Sequence, residues 1–270
     1  MNIKATLIFV LFLSFQTVYS QSETEYSERA IAKFKTGDFP GAVEDFDKAI
    51  AINSRSDYYF NSRGAIKAQM GMFKEAIKDF NKSLKLNPKN SSAYYNRGTS
   101  KHYLGNYKGA VKDYSQAVLF NPQDAKAFAN RGLSLKELSK LAEALLDYDK
   151  AIAIDPKYIK AYYDRGNLKR AMGKYNEAIE DYKQTLLLSP EFADAYFSMG
   201  SAKNDLEDFK GAIEDYTQAL ELNPNDVKSY YMRGNSKKAL GDRVGTCEDW
   251  NKAFQLGFSY ASVTIDEYCK

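Results

Sequence analysis

A handful of residues in this chain have side chains that could do chemistry. They are one histidine, two cysteines, and a carboxylate and a guanidinium that each recur at a fixed interval. His102 has no Cys or Ser at a spacing that would pair it with a nucleophile, and a clustered acid, base or nucleophile is what catalysis requires. Zinc ligation needs more than one His and two distant cysteines. Neither an enzyme nor a cofactor or metal is therefore expected. Cys247 and Cys269 stand eleven residues to either side of Phe258. The recurring carboxylates are Asp45, Asp79, Asp113, Asp147, Asp181, Asp215 and Asp249, each followed by an aromatic residue. The guanidinium sixteen residues earlier is Arg29, Arg63, Arg97, Arg131, Arg165 or Arg233, with Met199 in the one remaining place. A carboxylate within reach of every arginine neutralises it. The pairs are expected to be structural, the alternative being a basic ladder for a ligand.

The interval fixes the elements that carry these residues. Gly64, Gly98, Gly132, Gly166, Gly200 and Gly234 are each thirty-four residues apart, with Ala30 one period earlier. A period of that size without insertions is the mark of a repeat array. Within a unit the apolar residues step by three and four, as in Tyr107, Ala110, Val111, Tyr114, Ala117 and Val118, which predicts helices with one buried face. Gly105-Asn106 breaks the unit in the middle and Asn121-Pro122 closes it, since the residue before Pro avoids the helical region. Each unit is then a helix, a tight turn and a second helix. In such a hairpin the ring after each Asp lies against the Gly of the first helix, which has no side chain to obstruct it.

This pattern resembles the tetratricopeptide repeat family. The match rests on the opening aromatic, Gly98, Gly105, Tyr107, Ala110, Tyr114, Ala117 and Pro122 with their equivalents, and spans seven units. The resemblance implies an all-α, right-handed superhelical solenoid of 34-residue helix-turn-helix repeats, at about 23–56, 57–90, 91–124, 125–158, 159–192, 193–226 and 227–260. A solenoid domain over 21–258 would be closed by a capping helix over 259–270, where Ala261, Ile265 and Tyr268 step by four and three. The family's carboxylate clamp for chaperone tails is not complete, because Lys126, Lys160 and Lys228 are followed one turn later by Asn130, Asp164 and Met232.

The first twenty residues differ from the rest. Lys4 precedes the apolar run Ala5 to Phe15, and Val18 and Ser20 supply the small residues of a cleavage site. A signal peptide over 1–20, cleaved before Gln21, is expected. The apolar run is too short for a span of about 20 residues. The mature protein is expected to be exported, periplasmic or secreted, with no membrane span after cleavage. In that compartment equal arms about Phe258 predict a Cys247–Cys269 disulfide, the alternatives being two buried thiols or a redox pair. The net charge of +3, with acids and bases interspersed, lacks the basic stripe that nucleic acid would require.

The resemblance implies a concave groove lined by the first helices, where relatives bind peptides or proteins. The positions offset from the buried face are Asn61, Tyr95, Thr99, His102, Lys136, Tyr163, Asn167, Arg170, Phe197, Asn204, Tyr231, Asn235 and Lys238. Aromatics among hydrogen-bonding groups suit an extended peptide, or else these rings pack against the next repeat. The function expected is a non-enzymatic scaffold with a protein or peptide partner. The alternatives are glycan or peptidoglycan binding, or a regulatory subunit of an envelope enzyme complex.

Overall fold

The computed structural model describes residues 22–269. The expected signal peptide and its cleavage site lie outside the described residues. Fifteen helices and no strand occur among the described residues. They are α1 (Glu23–Lys35), α2 (Phe39–Ile52), α3 (Asp57–Gln69), α4 (Phe73–Leu86), α5 (Ser91–Tyr103), α6 (Tyr107–Phe120), α7 (Ala125–Glu137), α8 (Leu141–Ile154), α9 (Ile159–Ala171), α10 (Tyr175–Leu188), α11 (Ala193–Asp205), α12 (Phe209–Leu222), α13 (Val227–Ala239), α14 (Arg243–Gln255) and α15 (Ala261–Tyr268). Two compact units divide the chain, one running to Ser100 and the other from Lys101.

Local chemistry starts and stops the helices. Ser22 and Glu25 form a reciprocal capping box at α1, which satisfies backbone N–H groups that have no partner inside the helix. Asp38, Asn106, Asp208 and Asp242 accept a backbone N–H at the starts of α2, α6, α12 and α14. At the ends of α4, α6 and α12, Asn87, Asn121 and Asn223 leave helical geometry with ψ of 91°, 87° and 86°, as residues before proline must. The turn inside each hairpin needs one left-handed residue. Gly37, Gly71, Gly105, Gly173 and Gly241 hold that place with φ of 74–85°, and Ser139 and Glu207 hold it with φ of 59° and 62°.

In the first unit α1 packs on α2, α2 on α3 and α3 on α4. Ala30, Ala42, Phe46 and Ala49 are buried in its core. In the second unit each helix from α6 to α15 packs on the next, and the first helices α7, α9, α11 and α13 also meet their neighbours. Small residues permit this spacing: Ala110, Ala144, Ala178 and Ala212 are wholly buried near the starts of their helices, as are Ala117, Ala151 and Thr185 near the ends. Between them lie the largest buried side chains, Tyr114, Tyr148, Tyr182, Tyr216 and Trp250. The short α15 packs on α14 and is tied there by the Cys247–Cys269 disulfide, which closes a loop of 22 residues.

Candidate functional site

The arginines form bridges. Arg131 Nε and Nη2 each donate to the Asp147 carboxylate at 2.7 Å. Arg165 grips Asp181 at 2.9 and 2.6 Å, and Arg233 grips Asp249 at 2.9 and 2.7 Å. Arg29 and Arg63 hold Asp45 and Asp79 in the same forked way. Two parallel bonds match the fork to the carboxylate. Each arginine after Arg29 then reaches sixteen residues backwards, to the second helix of the preceding pair. There Nη1 donates to Asp47, Asn81, Ser115, Asp149 or Thr217, from Arg63, Arg97, Arg131, Arg165 and Arg233 respectively. The guanidinium also lies 5.3–5.6 Å from the centroid of the opening ring, Phe60, Tyr94, Phe128, Tyr162 or Tyr230. A lysine one turn on adds a second cation, as Lys67 does to Asp79 at 2.8 Å and Lys169 to Asp181 at 2.8 Å. These groups are occupied in joining helices, so they do not form a ladder open to a ligand. The Arg29 fork holds the Asp45 carboxyl down at about 2 against the opposing effect of burial.

One pair lacks the device. Met199 replaces the arginine, and Asp215 is left with Lys203 at 2.8 Å. The Asp215 carboxylate thus has one cation, not well aligned as a hydrogen bond, where its counterparts have an arginine fork as well. Burial pushes the Asp215 carboxyl up to about 6, a rise that Lys203 only partly opposes. The residue sixteen before Met199 is Lys183, a donor where the other pairs place an acceptor, and it turns instead to Glu180 at 2.7 Å. The bridge and its acceptor are thus lost together.

The ring after each Asp lies on the first-helix glycine. A Cβ added at Gly64, Gly166 or Gly234 would stand 2.7, 2.7 or 2.6 Å from Phe80, Tyr182 or Trp250. The polar tips of three of these rings bond across to the first helix. Tyr182 Oη donates to Asn167 at 2.9 Å, Tyr216 Oη to Ser201 at 3.2 Å, and Trp250 Nε1 to Asn235 at 3.1 Å. In the pair α7–α8 the same place holds Leu133, and Tyr148 Oη is buried without a partner.

Twelve of the thirteen positions expected on the groove are half-buried and Lys238 is exposed, and most already have neighbours. Asn61 accepts from Asn96 at 3.2 Å, and Thr99 donates to the Tyr95 carbonyl at 3.0 Å. His102 Nδ1 is 2.9 Å from Ser134 Oγ, its ring is 5.2 Å from that of Tyr107, and burial lowers its pKa. Lys136 is 3.5 Å from Glu137. The Tyr163 ring lies tilted 4.9 Å from that of Phe192, and its hydroxyl is bonded to Ser198 at 3.3 Å. Phe197 lies 5.7 Å from Tyr216, and Tyr231 lies 4.8 Å from Phe258. Arg170 donates to Asp205 at 2.7 Å, and Asn204 accepts from Ser236 at 2.9 Å. Lys238 Nζ sits 4.8 Å from the Tyr268 ring centroid. The rings therefore pack within and between pairs, and several polar groups stitch one first helix to the next.

Where this face carries small residues it is open. In the first unit Ile31, Phe34, Phe46, Ser62, Ala65 and Ile66 line an apolar hollow of about 180 Å³. Sequence reasoning did not single it out. Its signal is Ile31 and Phe34 opposite Ala65 and Ala68, in columns that hold larger side chains, polar except for Leu133, in later repeats. The backward acceptor column was also missed, although a polar residue recurs sixteen places before most of the arginines.

Similar proteins share this architecture. The MamA crystal structure is 28% identical over 61% of this chain and 96% of its own, with a TM-score of 0.57. YrrB is 21% identical over 69% of this chain and 96% of its own, with a TM-score of 0.60. A repeat protein from Parabacteroides merdae is 21% identical over 93% of this chain and all of its own, with a TM-score of 0.67. No curated protein matches the chain. One tetratricopeptide repeat model matches residues 58–90, 91–124, 125–158 and 193–226, and two further repeat models match 147–180 and 166–204. With half of its length matched by one of these models and its helices paired as in the solved repeat structures, the chain belongs to the tetratricopeptide repeat family.

Proposed function

We propose that this protein is a non-enzymatic scaffold outside the cytoplasm that binds a protein or peptide partner on its first-helix face. The observation that carries this reading is the apolar hollow beside Ala65. An unfilled apolar recess on a surface favours a partner's apolar side chain, because filling it removes apolar area from water on both sides. Tyr163, Phe197 and Tyr231 extend a half-buried aromatic surface over the first helices of the second unit. YrrB is described as having an unusual peptide-binding site, which supports a peptide as ligand. Export rests on the apolar run Ala5 to Phe15 and the small residues before Gln21.

The test is affinity capture from the native organism with the mature chain, beside Ala65→Phe and Tyr163→Ala/Tyr231→Ala. Ala65→Phe fills the hollow and leaves the buried bridges untouched. The expected result is a partner held by the wild type and lost with Ala65→Phe, and a mature chain whose first residue is Gln21. Capture that survives both variants would remove the first-helix face from consideration. Retention of peptidoglycan fragments with no protein would favour the glycan reading.

A further inference from the structure

The outer side of α4 carries a feature that the binding face does not explain. Lys74, Lys78, Lys82, Lys85 and Lys89 follow one another by four, four, three and four residues. The first four lie on α4, where at 100° per residue they fall within roughly 80° of arc over about 16 Å, and Lys89 follows in the turn just after the helix. All five are exposed. Among the described residues none of them forms an ion pair, whereas Lys67 and Arg63 beside them are paired to Asp79. Lys82 additionally lies over the Phe60 ring, 5.7 Å from its centroid. Adjacent like charges at these spacings repel one another along a helix.

No other second helix repeats the row. The same columns one period earlier read Pro40, Glu44, Lys48, Ala51 and Arg55. In α10 and just beyond it they read Asn176, Glu180, Gln184, Leu187 and Glu191. The near-neutral total charge conceals this local excess, which is why composition gave no sign of it.

We infer that this lysine row is a docking surface for an acidic polypeptide segment of a partner, separate from the first-helix face. The row is one helix wide. A flat anionic membrane laid on the second helices of this unit would meet Glu44 and Asp47 of α2 beside the lysines, both of them exposed. The arc also lacks an exposed apolar side chain to enter a bilayer, as surface-bound helices have. Nucleic acid is matched less well, because the arc offers no aromatic to stack on a base and no arginine to fork a phosphate. Ammonium groups in a straight line, each able to take one carboxylate, match a run of Asp or Glu along a helix or an extended strand. The association is governed by exposed charges and is therefore weakened by salt.

The test is fluorescence anisotropy of the full mature chain with a labelled oligo-glutamate of about 15 residues, long enough to span the row. The variants are Lys78→Glu/Lys82→Glu/Lys85→Glu and, with an equal change of charge elsewhere, Lys150→Glu/Lys157→Glu/Lys252→Glu. The expected result is binding that falls at least roughly tenfold between about 50 and about 300 mM NaCl. The stripe reversal should remove it, while the distant reversal and Tyr163→Ala/Tyr231→Ala should leave it. If circular dichroism shows the stripe reversal unfolded, the milder Lys78→Gln/Lys82→Gln/Lys85→Gln replaces it. Equal loss in both charge reversals, indifference to the stripe, or tighter binding to phosphatidylglycerol vesicles or to a single-stranded oligonucleotide would overturn the inference. Failure of the Ala65→Phe experiment would leave it standing, since α4's outer row and the hollow share no residue.

Discussion

At the scale of the residue, two sites show how the repeated chemistry works by being without it. Asp215 is buried like its counterparts but has no arginine. Its folded pKa of about 6 lies above the unfolded value of 3.8. The folded state therefore holds the extra proton between those values, and stability falls as pH rises through that window. Asp45 behaves oppositely: its folded value of about 2 lies below 3.8, so its contribution is present above pH 4 and is lost as pH falls towards 2. Met199→Arg with Lys183→Asp rebuilds donor and acceptor together. It is expected to raise stability at pH 7 by ~2 kcal/mol and to bring the Asp215 carboxyl below 4. Denaturant midpoints at pH 5 and 7 with a carboxyl NMR titration would show it, and unchanged midpoints would refute it. Tyr148 is the second site. Its buried hydroxyl lacks a partner because Leu133 stands where Asn167, Ser201 or Asn235 serve the other rings. Tyr148→Phe should therefore cost nothing and gain ~1 kcal/mol, while Tyr182→Phe, which strands no donor but gives up a bond, should lose about as much. Equal effects in the two melts would mean that the hydroxyl of Tyr148 is satisfied by water.

At the scale of the element, the helical hairpins were legible because each local signal agreed with the next. Apolar steps of three and four, a turn glycine, and an Asn-Pro close all repeat in phase. The pairing of Arg with Asp and of the ring with Gly could also be read, since residues equidistant from a turn face each other. What could not be read was where the spare N–H of each arginine goes. That depends on the rotation between successive pairs, which no single repeat encodes. The site was legible only in part for the same reason: Asn167 and Asn235 lie at the expected columns but spend their oxygens on Tyr182 and Trp250. The turn offers a cleaner forecast. Ser139 and Glu207 are held at positive φ where five other turns have glycine. A side chain in that region costs about 1 kcal/mol. Ser139→Gly and Glu207→Gly are each expected to raise the unfolding free energy by up to that amount, less the greater backbone entropy that glycine loses on folding. A fall in either case would mean that the side chain makes a compensating bond in the turn.

At the scale of the whole molecule, the first-helix and second-helix faces are built differently. The first-helix face is half-buried, stitched and apolar where it opens. The outer row on α4 is exposed and charged. Two faces so unlike suit two kinds of contact, one governed by shape and the other by salt. The arginine bridge also has a mechanical meaning. Within the second unit it rivets α6 to α7, α8 to α9 and α12 to α13, through Ser115, Asp149 and Thr217. Between α10 and α11 Met199 and Lys183 supply no rivet. Tension applied along this unit should find its yield point there, and an optical-trap trace should show that seam opening at the lowest force. Met199→Arg/Lys183→Asp should erase this early step. The seam gives the unit a soft joint in an otherwise stiff spring, so that strain imposed by whatever the scaffold holds is taken up at one known place.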